Sequence, residues 1–215
     1  MELGYQLLSI RGASPSFAQL EVTISIFSSR LSTIGGCHYE ITAEEPDQVQ
    51  VVIHSSSTDS EVSRLLGQTG SLRFVLLPPE TYGDATTQGS VAIPAQGTLI
   101  DPNLPTQFMG DQLDSTKISD AVDPNNPGYW LVNFAFTKDS ANQFSTWSAA
   151  HVNDYFAIVL DGVVLSAPYI KSQIADGRGQ ITGSFTAGQA KTLAVILKCG
   201  ALPFPAQEVS SQAVP

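Results

Sequence analysis

Basic residues are scarce in this chain: ten lysines and arginines stand against twenty aspartates and glutamates, a formal net charge of -10. No lysine or arginine cluster stands out, so the basic footprint that displaces counterions from phosphates is missing and nucleic acid is excluded as a partner. Anionic lipid head groups would repel the chain as well. Long apolar runs are also lacking. Nothing approaches the ~18 to 20 residues needed to cross a bilayer, and no basic flank leads into a hydrophobic core at the N-terminus. The chain as given is therefore expected neither to span a membrane nor to carry an export signal. Cysteine is limited to Cys37 and Cys199, too few for a disulfide framework or a metal cage. Two separate buried thiols are the expectation, with pairing the alternative in an oxidising compartment. No G-x-S-x-G elbow, phosphate-binding P-loop or H-E-x-x-H helix occurs, so neither a catalytic set nor a cofactor is expected.

Apolar material for a core is present. Hydrophobic residues make up 42% of the 215 and charged residues 14%, a balance that predicts a folded chain of one domain or two small ones. The most informative stretch is 156–203. Two short β-branched runs, 156–160 and 163–167, flank Asp161-Gly162, and Asp-Gly supplies the two positive-φ positions of a type I′ hairpin turn. A third short strand is predicted at 180–183. Thr186 and Gln189 then form a capping-box pair, Ala190, Leu193, Ala194 and Leu197 follow at helical spacing, and Gly200 with Pro203 marks the stop.

The wording of this stretch resembles the signature of the protein-export membrane protein SecD. The family carries an AIVLDG hairpin, an SAP continuation, an I-x-x-G-x-x-x-I-x-G-x-F-T segment and a helix ending in GALP. The matching positions are 157–162 with Asp161 and Gly162; Ser166, Ala167 and Pro168; 174–186 with Gly183, Phe185 and Thr186; and Gly200, Ala201, Leu202 and Pro203. Two positions depart from the pattern: Gly188, where an acidic helix former is usual, and Cys199, where a small residue is usual.

Upstream, residues 5–10 read as a strand, and Ser14-Pro15 as a helix start. Phe17, Leu20, Ile24, Phe27, Leu31 and Ile34 form one apolar stripe. A hairpin over 37–53 alternates on one wet face. Thr58 and Glu61 cap a second helix, and Leu72, Phe74 and Leu76 mark a fourth strand. The fold class predicted is α+β: a ferredoxin-like βαββαβ base with an inserted second α+β head and antiparallel sheets. The expected domains are a base at 1–78 and a head at 79–183, irregular to 128 and α+β from 129. The segment 184–215 would return to the base and lead to the membrane.

Each candidate for chemistry has a plainer reading. Asp111, Asp114, Asp120 and Asp123 lack the offsets and closing glutamate of a calcium loop, so they read as a solvated acidic loop. His38 and His54 fall on neighbouring strands and could touch, but an exposed pair is the plainer reading, and His151 stands apart. Asp161 reads as a turn former rather than an acid. Trp130 and Trp147 could line an apolar groove, with core packing the alternative.

The resemblance implies a non-enzymatic accessory subunit of the export channel. Its flanking membrane helices, absent here, would supply the only membrane attachment and carry the proton flow. The implied partners are unfolded preproteins, SecF and the SecYEG channel, and the implied location is the extracytoplasmic side of the cell membrane. Proline at Pro78 and Pro79 and glycine in the Gly183–Ser184 pair suggest hinges between base and head at these two places. Client-contacting residues are not legible. The competing expectation is a free-standing ligand-binding or hydrolytic α+β domain.

Overall fold

The computed structural model describes residues 2–8, 13–33, 38–44, 47–54, 59–78 and 93–212. Its elements in chain order are β1 (Glu2–Leu7), α1 (Phe17–Ser32), β2 (His38–Glu44), β3 (Gln48–His54), α2 (Asp59–Gly67), β4 (Leu72–Leu76), β5 (Thr106–Met109) and β6 (Ser119–Val122). They continue with β7 (Trp130–Ala135), α3 (Lys138–Ala150), β8 (Phe156–Leu160), β9 (Val163–Ser166), β10 (Arg178–Phe185), α4 (Ala187–Cys199) and β11 (Ala206–Gln212). The chain divides into two compact units: residues 1–70 with 199–215, and residues 71–198. No helix among the described residues is long and apolar enough to cross a membrane.

In the first unit the sheet order is β11-β1-β3-β2, every neighbour antiparallel. Alternation along β1 and β3 sends Leu3, Tyr5, Leu7, Val49, Val51 and Ile53 into one core, where Leu20, Phe27 and Leu31 of α1 meet them. α1 begins at Phe17, later than Ser14-Pro15 implies, because Ser16 is the cap: its hydroxyl accepts from the Gln19 amide at 3.4 Å, and the Gln19 side chain accepts from the Ser16 amide at 2.9 Å. Phe17 belongs to the apolar stripe by spacing yet is 64% exposed. Ile34, Cys37, Thr58 and Pro79 lie outside the described residues.

The connectivity of this unit is β-α-β-β-α-β, but its fourth strand is not Leu72–Leu76. That place is taken by β11, far later in the chain, while β4 pairs with β5 and β8 in the second unit. The burial of the two strands shows why. β4 has Leu72 and Phe74 in one core and Val75 in another, the pattern of a strand covered on both faces. In β11 only Ala206 is buried, and AQEVSSQ is held as an edge by pairing with β1.

The second unit holds two sheets, β10-β7-β6 and β5-β4-β8-β9, all pairings antiparallel. Its main core joins both sheets with α3 and α4 and is dominated by rings. Phe74 lies 5.5 Å from Phe134 and 5.2 Å from Phe136, and Phe144 lies 4.7 Å from Phe136. Such ring pairs contribute about 0.5–1.5 kcal/mol each beyond their buried area. Ala190, Leu193, Ala194 and Leu197 of α4 join this core, so the helix belongs to the second unit and the return to the first begins only at Cys199. The irregular stretch 79–128 contains β5 and β6, two four-residue strands in which Phe108 is the one buried side chain, too little for a period-2 signal. α3 starts at Lys138 with Thr137 at the cap position.

Candidate binding groove

The Asp-Gly hairpin sets the groove's frame. Asp161 at φ 49° and Gly162 at φ 83° supply the two left-handed positions, and β8 pairs antiparallel with β9. Asp161 does a second job: its carboxylate accepts from the Ser71 amide at 2.8 Å and its own amide donates to the Ser71 carbonyl at 3.0 Å, pinning the turn beside the start of β4. After the hairpin, the Pro168 carbonyl accepts from the Phe156 amide at 3.2 Å, and Tyr155 pairs with Tyr169. This carries the chain to Ile174, whose amide donates to the Ser148 hydroxyl of α3 at 3.0 Å.

Between that segment and β10 lies an apolar slot of about 150 Å³, lined by Phe134, Phe144, Phe156, Ile158, Pro168, Tyr169 and Ile174 together with residues 178–180. It shares Phe134, Arg178, Gly179 and Gln180 with a wider trough of about 520 Å³ that also takes in Asn133, Ala135 and Lys117. Gly179 is needed here: a methyl group on it would collide with the Phe134 ring. β10 is an edge strand, paired in its sheet with β7 alone. The groove thus combines a phenyl-lined slot with amide side chains (Gln180 donating to Asn133 at 3.0 Å) and two cations over the paired strands β7 and β10. The combination suits an extended chain with an apolar side chain, by backbone pairing and pocket filling together.

Further along β10 the register slips between Ile181 and Phe185. In the slip, the Ser184 amide leaves the ladder and donates to the Gln96 side-chain oxygen at 2.9 Å. That carboxamide lies over Gly183, where a β-carbon would approach its oxygen to 2.7 Å. Residues 97–100 meanwhile cover the outer edge of β9: the Gly97 amide donates to the Val164 carbonyl at 2.9 Å, and the Val164 amide to Thr98 at 2.9 Å.

The remaining sequence-selected positions are scaffolding. Phe185 is buried in the main core, and Thr186 and Gln189 exchange bonds of 2.9 and 3.3 Å at the start of α4. Gly200 takes φ 83° past the helix end, Ala201 is exposed, and Leu202 is buried in the first unit's core. Ser166 pairs with Ile158, and Ala167 packs under the sheet's second face. The hinge positions Pro78, Gly183 and Ser184 all lie inside the second unit, away from the passages at 70/71 and 198/199. Trp130 and Trp147 pack against the aromatic core rather than line the groove. The motifs take in Ile158, Pro168 and 174–180 among the groove's residues without marking them as a groove, and Phe134 and Tyr169 read as ordinary apolar positions; the Gly179 gap over Phe134 exists only in three dimensions.

Elsewhere, His38 and His54 are direct cross-strand partners with ring centroids 6.1 Å apart. Hydrogen bonds from the Thr116 hydroxyl and amide hold the Asp114 carboxyl below its usual range, and Asp123 accepts from the Asn125 amide at 2.9 Å, so both serve turns. Among the described residues, no three potential metal ligands lie together.

Residues 102–204 match the model of the SecDF P1 head subdomain, a span that includes every residue lining the groove. The chain is 32% identical over 195 residues to the protein translocase subunit SecD of Acetobacter pasteurianus, covering 89% of this chain and 37% of that one. The chain belongs to the SecD family. SecD of Rhodobacter capsulatus is also 32% identical, over 86% of this chain and 33% of its own. The chain thus spans about a third of the length of these curated relatives. In fold it is similar to a solved membrane component SecDF that enhances protein export, with TM-score 0.78, 21% identity and full coverage of both chains.

Proposed function

We propose that this SecD chain works in protein export by engaging a translocating polypeptide in the groove beside β10. The observation that carries the reading is the continuity of an apolar slot with a wider trough of mixed character along β10, an edge strand of its sheet. An extended client would add main-chain hydrogen bonds along the edge and place alternate side chains in the slot, a mode that tolerates many sequences. The relatives' naming as translocase subunits supports a role of binding and movement rather than turnover of a substrate.

In this reading the groove-bearing unit faces the extracytoplasmic side, attached through membrane helices that lie outside this sequence. Proton flow in those helices would drive reorientation of one unit against the other, with SecF and the SecYEG channel as partners. Titration of the chain with an unfolded, apolar-rich polypeptide, followed by amide chemical shifts, tests client contact. Shifts concentrated at Phe134, Tyr169 and residues 174–182, and lost in Ile174→Arg, are the expected result. No shifts at near-millimolar peptide would remove direct contact from the proposal.

A further inference from the structure

The chain passes between the two units at 70/71 and again at 198/199, and one side chain of the first unit holds both passages. Arg30 of α1 is fully buried. Its Nη1 donates to the Leu65 carbonyl at 2.9 Å and to the Gln68 carbonyl at 2.5 Å, and its Nη2 donates to Thr69 at 3.2 Å and to Gly200 at 3.1 Å. Leu65 lies in the last turn of α2, and Gln68 and Thr69 follow it directly. The carbonyls of a helix's final turn have no intrahelical donor and carry the negative end of its dipole. A guanidinium, with five donors in a fixed plane, can serve several of them at once. The fourth carbonyl comes from the returning strand of chain. The Leu202 amide then ties return to departure a second time, donating to the Thr69 carbonyl at 2.8 Å. Beside the clamp on each passage stands a left-handed glycine, Gly70 at φ 84° and Gly200 at φ 83°.

We propose that Arg30 is a positioning residue that fastens the departing and returning segments into one double stalk belonging to the first unit. Reorientation of the second unit then pivots at 70/71 and 198/199, not at Pro78, Pro79, Gly183 or Ser184. The clamp resists being pulled open because releasing either segment strips hydrogen-bond acceptors from a buried cation. The pivot rests on the motion proposed above; the clamp does not.

Hydrogen exchange on the full chain tests the clamp first. The Leu202 amide should exchange as slowly as the core amides of β1 and β3; exchange at the rate of an exposed loop would overturn the proposal even if no variant folds. In Arg30→Lys, which keeps the charge but not the planar fork, exchange at 200–204 should rise about tenfold or more while amides of β7 and β8 stay unchanged. Spin labels at exposed Glu21 and Lys138 give the second readout, a broader distance distribution in Arg30→Lys than in the parent chain. A residue that only stabilised the first unit would lower its melting temperature without broadening that distribution, and that outcome would also overturn the proposal. Failure of the client titration leaves both readouts standing, so the two ideas fail separately.

Discussion

Tyr5 shows how a single side chain reports on the first unit's core. It is fully buried edge-on to Phe27, centroids 5.3 Å apart, and burial, with a smaller contribution from Glu208, pushes its phenol well above the ordinary value near 10. Because the folded state keeps this proton while the unfolded chain loses it, stability should be flat below pH 10 and fall above it, with a slope of up to about 1.4 kcal/mol per pH unit. Urea melts between pH 9 and 11 measure this, and Tyr5→Phe should flatten the dependence; a variant as steep as the parent would assign the loss elsewhere. Gly183 makes a second residue-scale case. Gly183→Ala should drive the Gln96 carboxamide off Ser184, at a cost of about 1 kcal/mol for the lost bond and cap. Gln96→Ala should cost a similar amount, and the double variant little more than either, since both remove one contact. Additive losses would show that the two residues act apart.

At the scale of elements, α4 joins a legible cap to an evident flaw. The Thr186–Gln189 box is formed as its spacing implies, and Thr186→Ala should cost about 1 kcal/mol. Gly188 lies in the helix's first turn, and a β-carbon added there would meet no heavy atom within 4 Å. Gly188→Ala should therefore stabilise the chain by about 0.5–1 kcal/mol, read as a raised denaturation midpoint at constant slope. A loss instead would mean that the position serves flexibility. The β8–β9 hairpin is equally plain from Asp161-Gly162, because that turn is specified by two adjacent residues. β5, β6 and β11 are not, because each is short or nearly without buried side chains, and edge strands of that kind exist only through their neighbour's hydrogen bonds.

For the whole molecule, the consequence of β11 is that the first unit is discontinuous: it cannot complete its sheet until the second unit has been traversed. Deleting residues 206–212 should therefore unfold the first unit, exposing β1's edge, while the second unit keeps the near-ultraviolet signal of its aromatic core. Circular dichroism and amide spectra of the truncated chain check this; loss of both units together would show that they fold as one. The groove belongs to the same scale, since its walls come from β7, β8, α3 and the 168–180 segment. The amino-acid order alone determined the helix caps, the Asp-Gly turn, the alternating strands and the motif spacing that marks the family, because each depends on residues within a few positions of one another. Which strand closes the first sheet, which unit owns α4, where Arg30 finds its acceptors and where a groove opens over Gly179 were decided only by tertiary packing. Each of these joins residues tens to more than a hundred positions apart, and no local period records such a pairing.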